Sequence, residues 1–176
     1  MSYSYYVGLY KSSNICYNLN IILKYILMLI VKQLEQYNND NIFFSEPISN
    51  NIIRNGNFIR ILYSTHDFVL NGIYLYISLN NTLIENHYNK YRCSFNLYSN
   101  QPIIEKIKQV EIQLLEKYFI INKTPQYKIH DQFMFGYIKL INNTETLNKG
   151  CSFILKISGI WETEYNYGLT YKFIKL

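Results

Sequence analysis

VLNGIYLYISL, residues 69–79, carries the pattern from which the fold is read. Val69, Ile73, Leu75, Ile77 and Leu79 fall on one side of an extended chain, and Gly72, Tyr74, Tyr76 and Ser78 on the other. Successive strand side chains point to opposite faces, so the stretch predicts a half-buried strand with its tyrosines outward. The same period of two holds on both sides of it. In NFIRILY (57–63), Ile59 and Ile61 face inward, with Phe58 and Arg60 outward. In KYRCSFNLY (90–98), Tyr91, Cys93, Phe95 and Leu97 face inward, with Lys90, Arg92, Ser94 and Asn96 outward.

The period then changes. Between Asn100 and Phe119, Ile103, Ile107, Val110, Leu114 and Tyr118 recur at helical steps, with Ile104, Leu115 and Phe119 widening the stripe. Ser99 or Asn100 is placed to cap this helix, and Pro102 sits in its first turn, where a missing N–H costs nothing. Strand patterns return at FMFGYIKLI (133–141), CSFILKISGIW (151–161) and YGLTYKFIK (167–175), the last two joined by the polar run ETEYN. Upstream, LNIILKYILMLIVKQLEQ (19–36) has helical spacing, and IFFSEPI (42–48) offers an extra strand. Three strands, one helix and a closing hairpin is the connectivity of the OB-fold. The expected fold is mainly β with accessory helices: an OB-fold-like barrel over 1–176, its helix between the third and fourth strands. Residues 1–40 would form an N-terminal helical extension.

Composition limits the function classes. Hydrophobic residues make up 49% of the 176, enough to offset chain entropy with a core. Tyrosine occurs 19 times and alanine not at all, a bias that AT-rich codons produce, so any one tyrosine is first presumed filler. The net charge of +5 permits a polyanionic partner without demanding one. Arginine is confined to Arg54, Arg60 and Arg92, which argues against dense arginine-rich recognition. Cys16, Cys93 and Cys151 are too few and too scattered for a disulfide framework or a CxxC zinc site, and a reducing, cytoplasmic location is expected. The N-x-T matches at Asn80, Asn122 and Asn142 are chance level in so Asn-rich a chain. MSYSYYVGLYKSSN lacks the basic start and apolar core of a signal peptide, and the apolar run 25–31 is far below the roughly 20 residues of a membrane span.

Catalytic patterns are missing. His66, His87 and His130 have no metal-ligand spacing, no phosphate-cradling glycine motif occurs, and no GxSxG is present. Cys93 and Cys151 fall on core faces as packing residues. Glu162 and Glu164 read as exposed turn charges. No enzyme, metal or cofactor is expected. What remains is aromatic residues interleaved with cations on outward strand faces: Phe58 and Arg60; Tyr74 and Tyr76; Lys90 and Arg92; Phe133, Phe135, Tyr137 and Lys139, with Met134, Ile138 and Leu140 inward. Exposed aromatic rows usually meet a partner. A base stacked on a ring gains roughly 1–3 kcal/mol whatever its identity, and nearby cations neutralise phosphates. The competing readings are that Tyr74 and Tyr76 are β-formers only, and that Phe133 and Phe135 pack under the N-terminal helix. Trp161, the single tryptophan, is either a core plug at the barrel's mouth or a stacking platform. Gly159 and Gly168 mark strand ends where a side chain would crowd a turn or bulge.

KGCSFILKISGIWETEYNYGLTYKF (149–173), with Lys156, Gly159, Trp161, Gly168, Leu169 and Lys172, resembles the closing hairpin of OB-fold single-stranded-DNA-binding proteins of DNA viruses and virus-like yeast cytoplasmic linear (killer) plasmids. The resemblance implies coating of displaced strands during DNA replication in the cytoplasm, with Lys156, Trp161 and Lys172 added to the binding face. Such proteins often end in an acidic, polymerase-recruiting tail, whereas this chain ends in YKFIKL. Single-stranded DNA, or RNA, is the expected partner, with homo-oligomer contacts and replication proteins as further candidates and no membrane. The alternative is a structural or assembly subunit that uses the aromatic face and the N-terminal helix as a protein interface.

Overall fold

Alternation translates into strands almost wherever it occurs. The computed structural model describes residues 30–50, 52–53, 55–87, 90–140 and 151–176, of which Lys32–Leu176 form one compact unit. Its elements are β1 (Lys32–Gln33), β2 (Ile42–Phe44), β3 (Ile48–Ser49), β4 (Asn57–Ser64), β5 (Val69–Asn71), β6 (Ile73–Leu79), β7 (Thr82–His87) and β8 (Lys90–Phe95). There follow helix α1 (Gln101–Lys117), β9 (Thr124–Gln126), the short helix α2 (Lys128–Met134), β10 (Tyr137–Leu140), β11 (Cys151–Glu162) and β12 (Asn166–Lys175).

The strands form one mixed sheet in the order β1-β6-β11-β12-β10-β8-β7, with β4 continuing from the far half of β11. β11 does this by changing partner: Cys151–Ile157 pair with β6, and Gly159–Glu162 pair with β4. The switch falls at a register shift between Ile157 and Gly159. Gly72, at φ +97°, turns the chain from β5 into β6 against this bulge, where a Cβ would stand 2.6 Å from the Ile157 carbonyl oxygen. The sheet is open rather than a closed barrel. β10 runs parallel to β12 and carries the β8–β7 hairpin outward, so β1 and β7 remain edges among the described residues.

One face of the sheet is dry. Ile73, Leu75, Ile77, Cys93, Ile138, Phe153, Leu155, Ile157 and Phe173 join Ile104, Ile107, Val110, Leu114 and Leu115 of α1 and Ile129 and Phe133 of α2 in a single core. Cys93 and Cys151 are both buried there, and burial pushes the Cys93 thiol up to about 12. The expected cap of α1 takes another form. The Asn100 carboxamide is fully buried, accepts the Asn80 N–H at 2.8 Å and donates to the Asn80 carbonyl at 2.9 Å, tying the β6–β7 turn to the helix start.

Several expected elements change. The stretch 69–79 is two strands broken at Gly72, which leaves Val69 exposed rather than inward, and Leu97, also expected inward, lies exposed beyond the end of β8. The stretch 133–141 is not a single strand, because Lys128–Met134 is helical and the strand begins at Tyr137. Two contacts fix this. The Glu111 carboxylate on α1 accepts the Ile129 and His130 N–H groups at 2.9 and 2.8 Å, capping α2 from outside its own chain segment. Gly136, at φ +72°, then ends the helix with its N–H bonded to the Phe133 carbonyl at 2.8 Å. The predicted helix 19–36 is not found at its C-terminal end, where Lys32–Gln33 pair as a strand with β6 and Leu34–Gln36 form a 3₁₀ turn. Residues 19–29 lie outside the described residues.

Candidate nucleic-acid interface

The face of the sheet opposite the helices collects the charged residues. Along β11 and β6, Lys156 is directly opposite Tyr74, and on its other side opposite Lys172 of β12. The parallel pairing of Leu140 with Phe173 places Lys139 beside Lys172, and Lys139 in turn is opposite Arg92 of β8. Arg92 is opposite Glu85 of β7. The sequence of side chains across the sheet is thus Tyr74, Lys156, Lys172, Lys139, Arg92, Glu85. From Tyr74 on β6 to Arg92 on β8 it covers four inter-strand steps, about 19 Å at ~4.8 Å each.

Like charges directly opposite on neighbouring strands are destabilising. Folding alone therefore gives no reason to align Lys156, Lys172 and Lys139. Among the described residues none of these three lysines is in an ion pair. Two cations lie over rings instead: Lys156 Nζ is 4.9 Å from the centre of Tyr74, and the Arg92 guanidinium carbon is 5.4 Å from the centre of Tyr137. Arg92 also donates from Nε to Glu85 Oε2 at 3.1 Å, and Ser94 Oγ donates to the same oxygen at 3.0 Å. Glu85 thereby orients the guanidinium over Tyr137. Tyr76, one row along, is half-buried and its hydroxyl is 2.7 Å from Ser152 Oγ.

Two clefts open beside this row. Beyond Arg92 lies an open cleft of about 640 Å³ lined by Arg92, Tyr98, Phe135 and Tyr137 among others. Phe135 is 74% and Tyr98 91% exposed, and the Phe135 and Tyr137 rings are 6.4 Å apart. Along the strands from Lys172, in the middle of the row, Phe58 and Trp161 face each other as a cross-strand pair. With Ile48, Ile52, Ile53 and Thr170 they line an apolar cleft of about 470 Å³. Both rings lie against glycine. The Phe58 ring occupies the space a Cβ on Gly159 would need, and a Cβ on Gly168 would come within 2.7 Å of Trp161 Cζ2. These glycines clear room for rings, beyond the strand-end role read from sequence.

Of the residues singled out from sequence, Phe58, Arg60, Tyr74, Tyr76, Arg92, Tyr137, Lys139, Lys156, Trp161 and Lys172 alternate with buried neighbours and share the outer face, and Phe135 lines the first cleft. Arg60 is exposed opposite Gly159. Lys90 is in β8 opposite His87, and its side chain lies outside the described residues. Phe133 does not belong: it is fully buried in α2, with its ring centre 5.4 Å from Phe95 and 5.7 Å from Phe173. Met134, expected inward, is 53% exposed, because helical geometry replaces alternation there. Trp161 is neither a core plug nor fully displayed; it is half-buried on the outer face. Glu162 is not an exposed turn charge, since it is 9% exposed and accepts from Asn57 Nδ2 at 2.6 Å and Lys123 Nζ at 3.2 Å. Sequence reading missed Tyr98, Ile48, Ile52, Ile53 and Thr170. Tyr98 was within reach, two residues beyond the outward Asn96, but it follows the end of β8.

Among the described residues no group of three His, Cys, Asp or Glu side chains is placed to hold a metal ion, and no helix is long and apolar enough to cross a membrane. Comparison of the chain with protein-family models, with curated proteins and with solved structures finds no match in any of the three.

Proposed function

We propose that the outer face binds single-stranded nucleic acid with little regard to sequence. The observation that carries this reading is the row Lys156, Lys172, Lys139 and Arg92 on four adjacent strands, with the Tyr74 ring at its β6 end and the Tyr137 ring beside Lys139 on β10. Three aligned lysines without carboxylate partners among the described residues are a cost to folding that an anionic partner offsets. The rings favour unpaired bases, whose faces are available for stacking, over a duplex. At the stacked rise of about 3.4 Å per nucleotide, a ~19 Å row accommodates about five or six nucleotides. The reading does not need a closed barrel, because the face belongs to an open sheet. It agrees with the resemblance of 149–173 to OB-fold single-stranded-DNA-binding proteins, and within that stretch Lys156, Trp161 and Lys172 all lie on this face. Coating of displaced strands during replication is the role we infer.

The test is a fluorescence-anisotropy titration of labelled oligo-dT, oligo-U and a duplex of equal length. Tight binding to a single strand and at least tenfold weaker binding to duplex is the expected result. A stable oligomer by light scattering, with no single-strand affinity at low salt, would instead assign the face to protein assembly.

A further inference from the structure

Resting on the single-strand reading, we propose that the bound strand turns at Arg92, whose guanidinium holds a phosphate while the adjoining unpaired base enters the cleft of Tyr98, Phe135 and Tyr137. The line of the row is closed at this point. Arg92 is directly opposite Glu85 of β7, and the next outward residue of that strand, Leu83, is opposite Ser94. The Glu85 carboxylate, held by Arg92 Nε and Ser94 Oγ, repels a further phosphate, and the exposed Leu83 side chain offers it no ligand. Along the strands the surface changes character instead. Lys139 is opposite Arg92, and Tyr137 is opposite Ser94, about 7 Å away along β10, with Phe135 just before that strand begins. Cations thus give way to rings within one step along β10, beside the place where Glu85 blocks the way across.

The chemistry of the cleft fits a base with its phosphate at the mouth. A volume of about 640 Å³ is that of an ordinary small-ligand cleft, enough for a nucleotide. Arg92 uses only Nε on Glu85, and among the described residues its Nη groups have no hydrogen-bond partner. Those groups are the donors a phosphate oxygen takes, and Glu85 keeps the guanidinium in place over Tyr137. Phe135 and Tyr98 turn most of their ring area to water, which an unpaired base covers by stacking. Both rings stand on backbone that is already fixed. The Gly136 carbonyl accepts the Phe95 N–H at 2.9 Å, tying the Phe135 end of β10 to β8. The Asn96 side-chain oxygen accepts the Ser99 N–H at 3.0 Å, and the Asn96 carbonyl accepts from Asn100 Nδ2 at 2.8 Å, which holds the turn bearing Tyr98. A pre-set backbone lowers the ordering cost of binding. A base in a duplex is stacked and paired already, so only an unpaired one enters.

The experiment compares the unaltered full-length protein with a Tyr98→Ala, Phe135→Ala double variant on two end-labelled oligomers. One is six-nucleotide oligo-dT, and the other is a fully abasic chain of six deoxyribose phosphates. Anisotropy at two low salt concentrations reads the affinities, and circular dichroism on heating checks the fold. Both altered side chains are exposed, and Tyr98→Ala alone is read in the same way if the double variant melts early. The expected result is a roughly tenfold weaker affinity for oligo-dT at each salt concentration, with the abasic chain bound as tightly as by the unaltered protein. The rings then act on bases and not on phosphates. An equal loss on both oligomers, or no loss on oligo-dT, overturns the cleft as a base site and leaves the single-strand reading standing, provided the unaltered protein binds. Failure of the unaltered protein to bind oligo-dT overturns both.

Discussion

Replacing Lys139, Lys156 and Lys172 together by Ala probes the cationic row most directly. Each phosphate neutralised on a single strand contributes about −0.7 to the slope of log affinity against log salt. With Arg92 added to the three lysines, four contacts give a slope near −2.8. Affinity of the unaltered protein then falls about 50-fold between 50 and 200 mM salt, since the log concentration changes by about 0.6. The triple variant keeps Arg92 alone, so its slope drops to about −0.7 and its loss over the same range to about threefold. The assay is anisotropy with labelled oligo-dT across four or five salt concentrations. Stability supplies the control. Lys156 and Lys172 are directly opposed and Lys139 stands beside Lys172, so relieving their repulsion leaves the midpoint of thermal unfolding unchanged or raised. A triple variant that folds normally and shows a slope within one unit of the unaltered protein would refute the row as the phosphate track.

Other parts of the molecule make separate predictions. Tyr74→Ala with Tyr137→Ala weakens oligo-dT binding by at least tenfold at fixed salt without changing the salt slope, because stacking rather than charge is lost; anisotropy at two salt concentrations reads both. Phe133→Ala lowers stability by about 3–5 kcal/mol in urea unfolding, since its ring is enclosed by Phe95 and Phe173, yet leaves binding unchanged under folded conditions. Burial raises the Glu111 carboxyl from 4.5 to about 7, opposed in part by its two backbone N–H partners. The unfolded chain loses this proton first as pH rises. Stability therefore declines between pH 4.5 and about 7, by about 3 kcal/mol at most, and levels off above that. Glu111→Gln removes this decline, as urea denaturation at pH 5 and pH 8 will show. Gly168→Ala forces the indole of Trp161 off the strand, and a shift in tryptophan emission of the folded protein reports it.

Alternation is local, and what depends on it was legible. Ile73, Leu75 and Ile77 are buried as their spacing requires, and Tyr74, Tyr76, Arg92, Lys156 and Lys172 alternate with buried neighbours because a strand leaves them no other direction. The segment around Phe133 was not legible in this way. FMFGYIKLI is rich in β-formers, but the helix that takes its first two residues is capped by Glu111, 18 residues before Ile129, and ended by a left-handed Gly136. Propensity in a short window carries no information about a carboxylate donated by another helix.

The sequence alone determined the two faces of each strand, the long helix, and the absence of a recognisable catalytic motif, all of which follow from side-chain type and spacing along a few consecutive residues. Tertiary structure decided which strands are neighbours and in what register. Only pairing of β6 with β11, β11 with β12, β12 with β10, and β10 with β8 lines up Tyr74, Lys156, Lys172, Lys139 and Arg92, residues separated by up to about a hundred positions in the chain. Register across a sheet is set by the sum of contacts over the whole core, so no single strand contains it.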